Sequence, residues 1–254
     1  MPFIHYRTRG FVFKKSERGE ADRVFTIFTE DFGRLEILAK AIRKINSKLR
    51  SGIDLFCFSE IEFIQGKAHK TLTDAIPLKK FENTKKDFKK LKIAFKISET
   101  LDDFLKFEER EQTIWNLIAE TFSRLDKHPL PTTHHSLIYY YFFWNFLSIL
   151  GYKPELFHCA VCQDKLTPNV LCFHFKEGGA ICQNCAKKNN QANKNLCVTV
   201  NSDAVKILRI ILKKDWQTLS KIKMNPESQK ILKELSKNYY FYLLREHSTS
   251  DKII

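Results

Sequence analysis

Two cysteine pairs, Cys159-Ala160-Val161-Cys162 and Cys182-Gln183-Asn184-Cys185, set the tightest limit on what this chain can become. Two residues between thiols let both sulfurs of one turn face a single ion, and two such turns complete a tetrahedral shell. Four thiolates leave no open position for water, so the expected ion is one structural zinc, stapling an excursion too short to build a core of its own. The bland alternatives are four free thiols or a redox pair. Iron–sulfur clusters also take four thiolates, but the paired-turn spacing favours zinc. Cys172 and Cys197 lie in the same stretch outside either pair, and each reads as a small buried residue. His158 and His174 are weaker alternates, His158 because it adjoins Cys159 and cannot easily serve the same ion. Cys57, within Leu55-Phe56-Cys57-Phe58, reads as core packing.

The rest of the cysteine count bears on compartment. Seven thiols is an odd number, and Met1-Pro2-Phe3-Ile4-His5 shows no basic segment leading into an apolar one. The reading is therefore a cytoplasmic chain with reduced thiols. The apolar run Leu137 to Leu150 is too short to span a bilayer and contains Asn145, which predicts a buried core helix and no membrane partner. The formal charge of +14 points to a polyanion. Residues 1–80 carry 16 basic and 10 acidic side chains, residues 81–157 carry 11 of each, and residues 158–254 carry 16 and 8. A composition bias towards lysine would explain the total, but not a neutral middle third.

The first 80 residues read as β. Phe3 to Lys14, Arg23 to Glu30, Arg34 to Lys40, Ile53 to Ile64 and Lys70 to Pro77 are short runs rich in Phe, Ile, Val and Thr. Turn signals separate them: Gly19, Asp31-Phe32-Gly33, Ser51-Gly52 and Gln65-Gly66-Lys67. Five such strands fit a small closed barrel of the OB type, with an SH3-like barrel or an open sheet as alternatives. From Lys85 the apolar period lengthens: Phe88, Leu91, Phe95, Leu101, Phe104 and Leu105, then Ile114, Leu117, Ile118, Thr121, Phe122 and Leu125, predict a helical hairpin ended by Pro129-Leu130-Pro131. The helix Leu137–Leu150 is hydrophobic nearly all round and belongs at the centre of a helical domain. Past the cysteines, Ser202 or Asp203 can cap a helix, and a last helix runs from about Glu227 to Arg245. The chain thus divides into residues 1–80 and 81–254, with a metal-binding segment at 157–200.

Arg34, Lys40, Arg43, Lys44, Lys48 and Arg50 share the stretch 34–50 with one acid, Glu36. Such a cluster offers phosphates several point charges and guanidinium forks, although most charge runs are simply solvated faces. Lys187, Lys188 and Lys194 extend the basic surface near the cysteines. Phe11, Phe13, Phe25, Phe28 and Phe32 interleave with charge and would stack bases if exposed; strand phenylalanines more often fill a core, and none is nominated. His134 and His135 read as helix-start residues, and Gly178-Gly179 as a turn. No HExxH, phosphate loop, GxSxG elbow or deaminase HxE accompanies these features.

Gly19-Glu20-Ala21-Asp22-Arg23-Val24 through Thr26-Ile27-Phe28-Thr29-Glu30 and Gly33, then Leu38-Ala39-Lys40, Arg43-Lys44, Ser47-Lys48-Leu49 and Leu55-Phe56, resemble the N-terminal domain of the RecO family of bacterial recombination mediators. Leu150-Gly151-Tyr152-Lys153-Pro154-Glu155-Leu156, running into the first cysteine pair, resembles the approach to that family's zinc segment, so the resemblance covers most of the chain. Ala41-Ile42 departs from the Gly-containing turn expected there. The resemblance implies an α+β multidomain chain: a five-stranded OB-type barrel, then an α-helical domain with a four-cysteine zinc insertion. It also implies a non-enzymatic activity, namely binding single- and double-stranded DNA, annealing complementary strands, and helping RecA replace single-strand-binding protein. The implied partners are RecR and the acidic C-terminal tail of single-strand-binding protein, and the implied location is the bacterial nucleoid. Two basic ends flanking a neutral middle suit a protein that neutralises two strands. The rival readings are a zinc-dependent nucleic-acid-modifying enzyme, which needs an open metal position, and a zinc-ribbon interaction module whose charge is incidental.

Overall fold

A computed structural model describes residues 4–106, 108, 110–127, 132–167, 171–189 and 196–250. Five strands, β1 (His5–Arg18), β2 (Asp22–Thr29), β3 (Gly33–Ala39), β4 (Phe58–Gln65) and β5 (Lys70–Lys79), close into a barrel of order β1-β2-β3-β5-β4. All neighbours are antiparallel except β3 and β5. β1 is long enough to pair with both β2 and β4, and a register shift between Val12 and Lys14 lets it bend between them. The β2–β3 hairpin turns at Gly33, which has φ +65°, where a side chain would be strained. Thr29 Oγ1 accepts the Phe32 N–H at 3.0 Å and locks that turn.

Val12, Phe25, Ile27, Leu35, Ile37, Ile61, Phe63 and Leu72 fill the barrel. Phe11, Phe13 and Phe28 are also buried, and Phe32 is half-buried. Phe11 meets the ring of Phe122 at 4.5 Å, and Phe58 meets Trp115 at 4.9 Å. Those two partners lie on α3 (Gln112–Leu125), which follows α1 (Glu82–Lys86) and α2 (Phe88–Phe104). Asp126, just past α3, accepts the backbone N–H of Thr84 in α1 at 2.8 Å. The change of period near residue 81 therefore marks where strand gives way to helix. By packing, the chain divides further on, into a unit ending at His135 and a second starting at Ser136.

The second unit forms around α4 (Thr132–Ile149), whose buried side chains include Tyr141, Phe142, Phe143, Trp144, Phe146 and Leu147. The Trp144 indole donates to Ser236 Oγ at 3.1 Å, on α8 (Pro226–Ser250). Asn145, the polar residue inside this apolar helix, donates to the carbonyl of Ile211 at 3.0 Å near the end of α6 (Ser202–Leu212), a carbonyl that also accepts the Lys214 N–H at 2.9 Å. The cap of α6 is Asn201, not Ser202 or Asp203: its side chain accepts the Ala204 N–H at 2.9 Å. A three-stranded sheet of order β7-β6-β8 joins β6 (Leu171–His174), β7 (Gly179–Ile181) and β8 (Cys197–Val200). The short helices α5 (Gln183–Asn189) and α7 (Trp216–Lys221) complete the unit. Among the described residues, no helix is long and apolar enough to cross a membrane. Pro129-Leu130-Pro131 and Lys194 lie outside the described residues, as does the side chain of His134.

Candidate functional site

The two cysteine pairs meet. Cys159 and Cys162 belong to a turn closed by the Gln163 N–H on the Cys159 carbonyl at 2.9 Å, and the Cys159 N–H donates to the Asp164 carbonyl at 2.8 Å. Cys182 follows β7, and Cys185 lies in the first turn of α5. The Ala160 N–H donates to the Ala180 carbonyl at 3.0 Å and ties the first turn to β7. The four sulfurs lie within 4.8 Å of one another, and those of Cys162 and Cys182 are 3.8 Å apart. A tetrahedral ion with metal–sulfur bonds of about 2.3 Å has sulfur–sulfur edges of about 3.8 Å, so the spacing fits one. His158 and His174 stay outside the cluster. His174 is buried, its Nδ1 accepting the Glu177 N–H at 3.3 Å.

The electrostatics match. Burial acts to push the Cys159 thiol up, but the backbone N–H groups of Cys162, Cys182 and Val161 outweigh it and hold the group at about 6. Cys162 is pushed up to about 12: the Asp164 backbone favours its thiolate, but the Asp164 carboxylate and the sulfurs of Cys159 and Cys185 oppose a further negative charge more strongly. Bringing all four groups to the thiolate takes a cation, and these residues can hold one.

Several residues besides the cysteines support this centre. Glu155 accepts the N–H groups of Phe157 and His158 at 2.7 and 2.9 Å and sets the path into the first turn, which holds its carboxyl below the usual carboxylate range. Gly179 is more than a turn residue, because a Cβ there would come within 2.5 Å of the Glu155 carbonyl oxygen. Arg209 donates to the Leu156 carbonyl at 3.1 Å and lies 4.5 Å over the Phe157 ring. Cys172 and Cys197, expected as separate buried residues, are instead placed side by side, close enough for a disulfide. They lie diagonally across the β6–β8 pair with Cα atoms 5.9 Å apart, ordinary spacing for that bond.

On the barrel, Lys40, Arg43, Lys44, Lys48 and Arg50 are exposed, in the connection between β3 and β4. Hydrogen bonds from the Arg43 N–H to the Ala21 carbonyl at 3.0 Å and from the Ser47 N–H to the Lys44 carbonyl at 3.1 Å order this loop. Ala41, where a glycine is expected, takes the left-handed conformation that glycine favours, φ +53°, and its N–H donates to Asp22 Oδ1 at 2.7 Å. Arg34 departs from the group. Its side chain is 15% exposed and donates to Asp102 Oδ1 at 2.9 Å, the Asp102 carbonyl at 3.2 Å and the Leu105 carbonyl at 2.5 Å. That guanidinium caps the C-terminal end of α2, so the structure does not bring Arg34 together with the five exposed cations.

The family model described as recombination protein O N terminal matches residues 1–81, and that described as recombination protein O C terminal matches residues 85–252. The DNA repair protein RecO of Dehalococcoides mccartyi is 34% identical over 230 residues, covering 91% of this chain and 86% of that protein. The DNA repair protein RecO of Alkaliphilus metalliredigens is 27% identical over 233 residues, covering 92% and 91%.

Proposed function

The chain belongs to the RecO family of DNA repair proteins, and from that membership we propose that it is a DNA-binding mediator of recombinational repair without catalytic activity of its own. It anneals complementary strands and helps load RecA onto DNA coated with single-strand-binding protein. Its partners are single- and double-stranded DNA, RecR and the acidic tail of single-strand-binding protein, and it works in the cytoplasm at the nucleoid. The observation that carries this reading is the β3–β4 connection: five exposed cations, with no acidic residue between Glu36 and Asp54, on a closed barrel. Such a loop neutralises phosphates without reading sequence, which annealing requires. Lys40, Arg43, Lys44, Lys48 and Arg50 are the proposed phosphate contacts.

We infer that the ion held by Cys159, Cys162, Cys182 and Cys185 is one zinc. Its chemistry is that of a cross-link, since four thiolates saturate a tetrahedral ion and leave no position for substrate. The decisive experiment is annealing of complementary oligonucleotides covered with single-strand-binding protein. Acceleration by the protein, lost on neutralising Arg43 and Lys44, supports the reading; an unchanged annealing rate sinks it.

A further inference from the structure

Beside the basic loop the barrel unit has a cavity of about 440 Å³, within the size range of small-ligand clefts. Four cations line it from separate parts of the chain: Arg23 on β2, Arg50 before β4, Lys80 after β5 and Lys85 on α1. Two already have partners. Lys85 pairs with Asp54 at 3.2 Å, which Lys15 also engages at 2.9 Å, and Arg23 pairs with Glu17 at 3.5 Å. Among the described residues, the side chains of Arg50 and Lys80 make neither ion pair nor hydrogen bond, and both are exposed. Glu82 is the second acid of the lining, so cations still outnumber acids there by four to two. Exposed Pro77 and the edges of Ile42 and Ile53, which are otherwise buried in the barrel core, supply the apolar wall, and the lining contains no aromatic ring.

Cations beside an aliphatic wall suit a ligand that is anionic at one end and flat and weakly polar at the other. Resting on the reading of the barrel as DNA-binding, we propose that this cavity receives one unpaired nucleotide of a single strand. Its phosphate engages Arg50 and Lys80, and its sugar and base lie against Ile42, Ile53 and Pro77. Arg50 is shared with the basic loop, so a strand following Lys40, Arg43 and Lys44 is carried to the cavity mouth. Without an aromatic platform or a set of hydrogen-bonding groups for base edges, the cavity accepts any base. It does discriminate by strandedness. In duplex DNA a base must leave its stack to enter, which costs a few kcal/mol, whereas a single strand meets little of that cost.

The test uses the full chain, titrated with a fluorescent single-stranded oligonucleotide and with the matching duplex at one salt concentration. Arg50→Ala with Lys80→Ala weakens single-strand binding about tenfold, from the loss of charge-assisted hydrogen bonds, and duplex binding by a clearly smaller factor. Ser51→Phe fills the cavity without removing charge and lowers only the single-strand affinity. Arg43→Ala with Lys44→Ala, on the loop alone, lowers both equally. Circular dichroism confirms that each variant is folded, and 2-aminopurine in the oligonucleotide changes emission on binding to the wild type but not to Ser51→Phe. If the cavity variants reduce both affinities by the same factor, or neither, the cavity proposal is overturned while the DNA-binding reading stands. A wild type that binds no DNA at low salt overturns both.

Discussion

Replacing Arg34 by alanine separates a helix-capping cation from the proposed phosphate contacts it accompanies in sequence. The guanidinium makes three hydrogen bonds to the α2 end, two to carbonyls and one to the Asp102 carboxylate, and a longer one of 3.3 Å to the exposed Glu36. A net gain of about 1.5–3 kcal/mol is usual for one hydrogen bond to a charged group. The three do not add in full. Asp102 keeps Lys14 at 2.6 Å and is 24% exposed, and its carbonyl also accepts Lys106 at 3.1 Å. The Leu105 carbonyl is the acceptor whose loss matters most. Arg34→Ala should cost about 2–3 kcal/mol, and Arg34→Lys should recover only part, since an ammonium lacks the fork that spans carboxylate and carbonyl. Urea denaturation followed by circular dichroism gives the stability, and DNA titration across a salt series gives the binding. Below the unfolding transition, Arg34→Ala should keep the wild-type salt slope. Arg43→Ala with Lys44→Ala should instead flatten the single-strand slope by about 1.4 and change stability by less than about 0.5 kcal/mol. An Arg34→Ala protein of wild-type stability with a flattened slope would refute the reasoning and return Arg34 to the DNA surface.

The metal centre gives a second contrast: elemental analysis should find one zinc per chain, lost in Cys182→Ser but retained in Cys172→Ser, because Cys172 lies beside Cys197 and outside the four-sulfur cluster. Equal metal loss in both variants would mean the ligand set is wrong. Ala41→Gly should relieve a left-handed alanine that costs about 1–2 kcal/mol, less the extra freedom glycine brings to the unfolded chain, about 0.4–1 kcal/mol. The net gain is about 0–1.6 kcal/mol, whereas Ala41→Val should lose at least about 1 kcal/mol; identical urea midpoints for all three proteins would rule out the left-handed turn. Asp87 caps α2 by accepting the N–H groups of Lys89 and Lys90 at 2.8 and 3.2 Å, and those bonds, Lys90 first, hold its carboxyl below its ordinary 3.8. A depressed folded value means that the stabilisation is complete above the unfolded value and fades as pH falls through the folded one. Asp87→Ala should therefore cost about 1 kcal/mol near neutrality, in denaturation curves whose gap narrows in acid; a gap that widens in acid would contradict the cap.

How much the sequence reveals follows the range of the interaction. The cysteine pairs are local motifs, each two ligands on one turn, so their convergence is legible in the spacing alone. The hairpin at Asp31-Phe32-Gly33 and the apolar helix with its Asn145 are legible for the same reason. Arg34 misleads because its partner Asp102 lies 68 residues away, and no local pattern distinguishes a guanidinium that caps a distant helix from one that faces solvent. The pairing of Cys172 with Cys197 escapes for a related reason. Cys172 and Cys197 sit 25 residues apart, and only the diagonal placement of β6 and β8 brings them together. Glu155 and Gly179 matter through one backbone approach that neither residue announces.

The extent of the barrel unit is the instructive case, because its signal is present in β1. A strand with one face in a barrel core and the other in water alternates apolar and polar residues. Phe11-Val12-Phe13 does not alternate, and all three are buried. Val12 faces the barrel interior, which leaves Phe11 needing cover from outside, and Phe122 of α3 supplies it at 4.5 Å. Phe58 makes the same demand, and Trp115 meets it. A barrel carrying phenylalanine on its outer face is incomplete without the next helices in the chain. The unbroken apolar run in β1 thus implies a folding unit that continues past residue 81 through α3. It follows that a fragment ending at residue 81 exposes that aromatic face and should aggregate, whereas one ending at residue 135 should remain monomeric in sedimentation.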